Sequence, residues 1–310
     1  MENEHSDEIG YVDHNIHGAG TALVTPMNSN GSVDYGALKH LVEFQIDKGI
    51  GFLVPCGTTG ESATLSNRQH DLVVERVVEY ADGRVPVVGG TGSNSTCEAL
   101  KRTRHAKEAG VDAVLLVEPY YNKPEEEDII SEYYTIIATE NEDLPMIAYH
   151  VPGRTGASFT EYSARELAKI PEFIGVKWAD PTDLETARFI CENPGLELYS
   201  GEDAENLIFY KMGGKGAISV TANAVPDLVS EVWNLYAAGD NEGAESLQER
   251  IAELNSAMFI AGNPKSVKTA LHAMGMIQPH ARKPISLATG NKRTTIETAL
   301  ENIGIQVVNR

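Results

Sequence analysis

Eight short apolar runs, each followed by a helical pattern, predict an α/β chain folded as a (β/α)8 TIM barrel with a C-terminal helical appendage. Two further observations agree. Successive runs begin about 20 to 35 residues apart, enough for one strand and one returning helix. Small hydroxyls, tyrosines, an arginine and a lysine recur where the runs end, which is the end where barrels carry their sites. An open doubly wound sheet is the competing architecture, but eight regular units of this size fit closure better.

The strands are expected at 20–27, 51–57, 85–92, 113–121, 145–152, 173–179, 196–201 and 216–223. Each is rich in Val, Ile and Leu and is bounded by Gly, Pro or polar residues. Helical patterns lie between them at 34–48, 66–81, 96–109, 125–141, 160–168, 182–192 and 204–212. Asp34, Ser66 and Thr160 stand where an N-cap is needed, with side-chain oxygens able to accept from the first free amides. Past residue 223 the pattern changes to helices alone, at 226–238, 242–261, 264–274 and 291–302. One of these should close the barrel and the others should form the appendage. The expected organisation is a mobile acidic tail over 1–16, the barrel over 17–239 and a helical region over 240–310.

Composition narrows the classes of function. Of the 310 residues 42% are hydrophobic, yet no apolar run approaches the length that spans a bilayer. The start, MENEHSDEIG, lacks the positive and apolar stretches of a secretory signal. A net charge of −20 argues against nucleic-acid and acidic-membrane partners, which need a basic face. Two origins fit that acidity, a high-salt habitat and ordinary cytosolic acidity. Cys56, Cys97 and Cys191 are an odd, widely spaced set with neither disulfide nor metal spacing, which fits a reducing cytoplasm. The nine histidines have no metal-ligand spacing, and His5, His14 and His17, in or near the tail, are expected to be solvated. Gly89-Gly90-Thr91-Gly92 lacks the third glycine and the following acid of a nucleotide turn. No metal or cofactor is expected.

Lys177 carries the most information. It sits in Phe173-Ile174-Gly175-Val176-Lys177-Trp178-Ala179, otherwise a buried strand. Alternation puts Ile174, Val176 and Trp178 on one face and Gly175, Lys177 and Ala179 on the other, leaving space above the amine. Loss of water favours a neutral amine, the nucleophile needed for a Schiff base with a ketone. The plainer reading is a lysine that snorkels out or pairs with a carboxylate.

Other strand ends carry complementary chemistry. In Cys56-Gly57-Thr58-Thr59-Gly60-Glu61-Ser62, glycine-freed amides and two hydroxyls suit a carboxylate, or equally a capped glycine turn. Pro119-Tyr120-Tyr121-Asn122-Lys123-Pro124 offers phenols for a proton relay or for an interface. Tyr149 stands at a strand end, and Arg154 in Pro152-Gly153-Arg154-Thr155-Gly156 presents a fork of donors to a carboxylate, or ties down its own loop. The set suits a small carboxylated ketone.

These motifs, with Ser200-Gly201-Glu202-Asp203, the run 216–223 and Asn263-Pro264-Lys265-Ser266-Val267-Lys268, resemble the dihydrodipicolinate synthase family in order and spacing, from about residue 18 to the C-terminus. That family belongs with N-acetylneuraminate lyase to the pyruvate-dependent class I aldolases. The resemblance implies a lyase that condenses pyruvate with L-aspartate 4-semialdehyde to 4-hydroxy-tetrahydrodipicolinate, for lysine and diaminopimelate. It implies a Schiff base on Lys177, a carboxylate held by Thr58 and Thr59, and a pocket lined by Gly201 and the backbone near Ile218. Thr59, Tyr149 and Tyr121 would form a hydroxyl relay, Tyr121 arriving from a neighbouring subunit of a homotetramer. Arg154 would hold the carboxylate of the aldehyde. His70, Asn94, Glu98 and Tyr120 partly match a regulatory lysine site, with Asn67 in place of a histidine. Trp178 and His150 depart from the usual pattern. A 2-keto-3-deoxy sugar acid aldolase of the same superfamily is the first alternative, and a non-catalytic carboxylate-binding barrel the second.

Overall fold

The computed structural model describes residues 16–193 and 195–308. Most of the expected tail, residues 1–15 with His5 and His14, lies outside them. Ile16 is buried, and its carbonyl accepts from the Tyr199 hydroxyl at 2.9 Å. His17 is part-buried beside Glu197, with Nε2 3.3 Å from the carboxylate, rather than freely solvated.

Among the described residues, eight parallel strands follow the expected order: β1 (Gly18–Ala22), β2 (Phe52–Val54), β3 (Val88–Gly90), β4 (Ala113–Val117), β5 (Met146–His150), β6 (Phe173–Trp178), β7 (Glu197–Ser200) and β8 (Gly216–Ser219). Hydrogen bonding runs β2-β1-β8-β7-β6-β5-β4-β3, and a parallel bridge between Leu53 and Val87 joins the two ends. The barrel closes as predicted.

The observed strands are shorter than their apolar runs. Two of the runs continue into turns that no strand can follow: Cys56 and Tyr121 have φ of 57° and 73°. The caps behave as expected. Asp34 accepts from the Ala37 amide at 3.0 Å, Ser66 forms a capping box with Gln69, and Thr160 accepts from the Tyr162 amide.

The helix expected at 125–141 is interrupted. Glu126–Asp128 and Thr135–Thr139 flank a π-helical segment, Ile129–Tyr134, in which Ile129, Ile130, Tyr133 and Tyr134 are all buried. The wider turn lets Tyr133 reach both the Ser93 amide and the Val117 carbonyl at 3.1 Å. Pro226–Ala237 packs against the first strand, where Trp233 lies over Gly18. The expected helix at 242–261 divides at Ile251 into Asn241–Arg250 and Ala252–Ala257. These helices, Lys265–Ala273 and Gly290–Asn302 share one apolar core with the barrel's outer helices. No helix among the described residues is long and apolar enough to cross a membrane.

Two apolar layers position the site. Phe52, Val54, Leu115, Ile147, Tyr199 and Ile218 belong to the cluster that fills the barrel, while Val176 and Trp178 face the outer core. Ile174 was expected beside them but packs on the interior cluster. The pairing register shifts between Met146 and Ile147, opposite Phe173 and Gly175, and leaves Ile174 as the extra residue.

Candidate active site

Lys177 lies at the C-terminal end of β6, 4% exposed, inside the barrel mouth. Cross-strand register places it between Tyr149 on β5 and Tyr199 on β7. Its Nζ stands 4.2 Å from the centroid of the Tyr149 ring. The site therefore holds the amine against an aromatic face, with a hydroxyl on the same side chain. Glu202 is a carboxylate within electrostatic reach of Lys177. Burial and the neighbouring Asp203 push its carboxyl above the usual range, and the charge of Lys177 opposes them. Asp203 itself is occupied, accepting from the Val220 and Thr221 amides at 2.9 Å each and so anchoring the end of β8 beyond Ile218.

Gly201 has little room to be anything else. A Cβ there would meet Lys177 Cε at 3.0 Å and the Trp178 carbonyl at 2.9 Å. Gly201→Ala is expected to displace the amine and lower kcat by about 10- to 100-fold while the fold persists. Steady-state kinetics beside a thermal midpoint checks this; an unchanged kcat would remove the steric argument.

A cleft of about 260 Å³ opens beside Tyr149, lined among others by Thr58, Tyr120, Arg154, Asn263 and Ile285; Lys177, Thr59, Gly201 and Ile218 are not among its lining residues. Thr59 is buried, and its Oγ1 accepts from the Asn263 side-chain amide at 3.0 Å. Arg154, on the short helix Pro152–Thr155, donates to the Asn263 carbonyl at 3.1 Å. One residue from the C-terminal region thus touches both the threonine loop and the arginine. Asn263 Oδ1 is buried and has no hydrogen-bond partner among the described residues.

The expected relay is incomplete within one chain. Tyr121 is 88% exposed and is not a lining residue of the cleft. Its neighbour Tyr120 lines the cleft instead.

The four residues matched to a regulatory site lie on neighbouring segments. The His70 Nε2 lies 2.9 Å from the Gly90 carbonyl, and burial pulls the imidazole below its ordinary range. Glu98 accepts from the buried Arg102 at 3.1 Å and from the Ser93 hydroxyl. Asn94 accepts through its carbonyl from Asn122 at 2.8 Å.

Sequence reasoning assigned no role to Glu61, Lys268 or Asn263. Lys268 is 0% exposed and donates to the Glu61 carboxylate and, at 2.9 Å, to the Thr25 carbonyl. Burial draws its ammonium below the ordinary lysine range, while Glu61 pulls the other way. The second Glu61 oxygen accepts from the Arg282 amide at 2.7 Å. The loop bearing Thr58 and Thr59 is therefore clamped from behind by residues more than two hundred positions later.

Residues 15–303 match the Dihydrodipicolinate synthetase family. The chain belongs to that family. It is 43% identical over 292 residues to a 4-hydroxy-tetrahydrodipicolinate synthase of Methylococcus capsulatus, covering 94% of this chain and 99% of the relative. Among solved structures, the dihydrodipicolinate synthase of Acinetobacter baumannii complexed with pyruvate superposes with a TM-score of 0.90 at 41% identity, over 94% of this chain and 99% of that one. The Cyanidioschyzon merolae enzyme with lysine bound matches at 32% identity and a TM-score of 0.90, over 94% and 99% of the two chains. Membership of the dihydrodipicolinate synthetase family agrees with the resemblance carried by the sequence motifs.

Proposed function

We propose that the chain condenses pyruvate with L-aspartate 4-semialdehyde to give 4-hydroxy-tetrahydrodipicolinate, feeding lysine and diaminopimelate synthesis. The observation that carries this reading is the buried Lys177 amine held 4.2 Å from the Tyr149 ring at the barrel mouth, in a chain of this family. Lys177 Nζ attacks the keto carbon of pyruvate, and the carbinolamine loses water to leave a Schiff base. Loss of a methyl proton gives the enamine, whose carbon adds to the aldehyde. The amine of the second substrate then attacks the imine carbon, closes the ring and releases Lys177. Every step needs protons moved, including the addition, whose aldehyde oxygen takes up a proton to become the 4-hydroxyl, and hydroxyls do this without adding charge to a dry pocket.

In this reading Thr58 and Thr59 hold the pyruvate carboxylate, with Gly201 and Ile218 lining the pocket, and Tyr149 serves the lysine. Tyr121 completes the relay in the cleft of a neighbouring subunit, consistent with its exposure of 88% and left-handed backbone. A homotetramer and a cytoplasmic place belong to the same proposal. The lysine-site assignment to His70, Asn94, Glu98 and Tyr120 also remains part of it.

Arg154 is the residue that favours the semialdehyde over a sugar-acid partner. Its guanidinium is exposed to the cleft and steadied by the Asn263 carbonyl, a geometry suited to a carboxylate. Arg154→Ala is expected to raise KM for the semialdehyde by about 10- to 100-fold while pyruvate is still trapped by borohydride. Cleavage of 2-keto-3-deoxygluconate at a rate exceeding condensation would favour the sugar-acid alternative.

A further inference from the structure

Behind the cleft lies a buried polar cluster that the chemistry above does not use. Glu118, the residue after β4, is 0% exposed. One carboxylate oxygen lies 2.8 Å from His150 Nδ1, and the other accepts from the Thr155 hydroxyl at 3.2 Å. Its backbone amide donates to the Tyr149 carbonyl at 3.3 Å. Thr155 also bonds its own Val151 carbonyl and the Ala157 amide, each at 3.2 Å, so it fastens both ends of the short helix carrying Arg154. The His150 ring lies over Trp178, centroids 4.6 Å apart, and Phe159 closes the same pocket at 5.7 Å from Trp178.

The two departures noted in the sequence, His150 and Trp178, are therefore in contact with each other, and Glu118 completes them. Each member sits next in sequence to a residue of the cleft or its mouth: His150 to Tyr149, Trp178 to Lys177, and Thr155 to Arg154. Glu118 precedes Pro119-Tyr120-Tyr121 by one residue. Burial pushes the Glu118 carboxyl up, while His150, Thr155 and the Val151 amide favour its charged form. A carboxylate enclosed in this way is retained only when its partners are in place, because an unpaired buried charge is strongly destabilising.

We propose that Glu118 and His150 are positioning residues for the second substrate: through Thr155 they set the Pro152–Thr155 turn, and with it Arg154, relative to Tyr149 and the Tyr120-Tyr121 corner. This rests on the reading that Arg154 receives the carboxylate of the aldehyde. Neither Glu118 nor His150 lines the cleft, and their side-chain hydrogen bonds run to each other and, through Thr155, to the turn that carries Arg154. Their loss is therefore expected to act first on the semialdehyde.

The test uses the full-length protein and four variants: Glu118→Gln, His150→Leu, His150→Asn and the double Glu118→Gln/His150→Asn. His150→Leu removes the donor, and semialdehyde KM is expected to rise about tenfold, with pyruvate KM and the rate of borohydride trapping at Lys177 within about twofold. His150→Asn puts an amide donor where Nδ1 stands and is expected to recover most of that loss. Glu118→Gln is expected to match His150→Leu, and the double variant, with no buried charge left, to lie between it and wild type. A folded His150→Leu with unchanged semialdehyde KM overturns the proposal, and so does an equal rise in both KM values. If His150→Leu does not fold, Glu118→Gln decides by the same split. Failure of the wild type to be trapped by pyruvate would instead strike the catalytic reading, so the two failures are distinct.

Discussion

Lys177→Ala is expected to abolish reductive trapping by pyruvate and to lower kcat by about 10⁴-fold or more, because the covalent route disappears with its nucleophile. The surrounding geometry leaves no obvious substitute. Lys268 is the other buried lysine, but its ammonium is committed to Glu61 and the Thr25 carbonyl and is wholly enclosed. Lys177→Arg is the sharper variant. It keeps a long basic side chain beside the Tyr149 ring yet offers a guanidinium that stays protonated and does not form the imine. Borohydride reduction with labelled pyruvate, followed by peptide mapping, should place the label in the wild-type peptide containing residue 177 and nowhere in either variant. Native turnover by Lys177→Arg would defeat the Schiff-base mechanism.

Lys268→Met should produce the largest loss of stability. It removes the cation and leaves the Glu61 carboxylate enclosed, with the Arg282 amide as its remaining donor. Breaking a buried pair in this way costs about 3–5 kcal/mol. At this chain length that corresponds to a fall of roughly 5–8 °C in the thermal midpoint, read at fixed protein concentration and scan rate. Neutralising both partners in Lys268→Met/Glu61→Gln is expected to recover a substantial part, since no unpaired charge remains. A midpoint for Lys268→Met within about 1 °C of wild type would mean that water reaches the pair. Because Glu61 ends the loop of Thr58 and Thr59, the single variant is also expected to bind pyruvate more weakly.

The barrel was legible because its signals are local. Short apolar runs bounded by Gly, Pro or polar residues, Ser and Asp caps and the spacing of the units are all local signals. What local signals miss is where a run stops being a strand. Cys56 and Tyr121 belong to apolar or aromatic stretches, but their left-handed backbones turn the chain into loops. The π segment over Ile129–Tyr134 was hidden for a similar reason, since its buried tyrosines fit an ordinary helical pattern equally well.

The site was legible in part. Lys177 announced itself as a charge in a buried strand, and Tyr149, Thr58 and Arg154 stood at strand ends. Asn263, Glu61 and Lys268 carried no comparable signal, because the Glu61–Lys268 pair joins positions 207 residues apart. Glu118 gave no separate signal, because a lone carboxylate between an apolar run and Pro119-Tyr120-Tyr121 reads as an ordinary strand end. His150 was visible as a departure, but its partner across the strands was not.

The clamp on the threonine loop has a consequence for how the protein comes into being on the ribosome. Strand β6, with its lysine, leaves the exit tunnel long before Asn263 and Lys268 have been translated. Until those late residues arrive, Thr59 lacks its amide partner and Glu61 its cation. On the proposed reading, a nascent chain therefore carries Lys177 without the apparatus that would use it, and capture of a keto acid waits until synthesis is nearly complete.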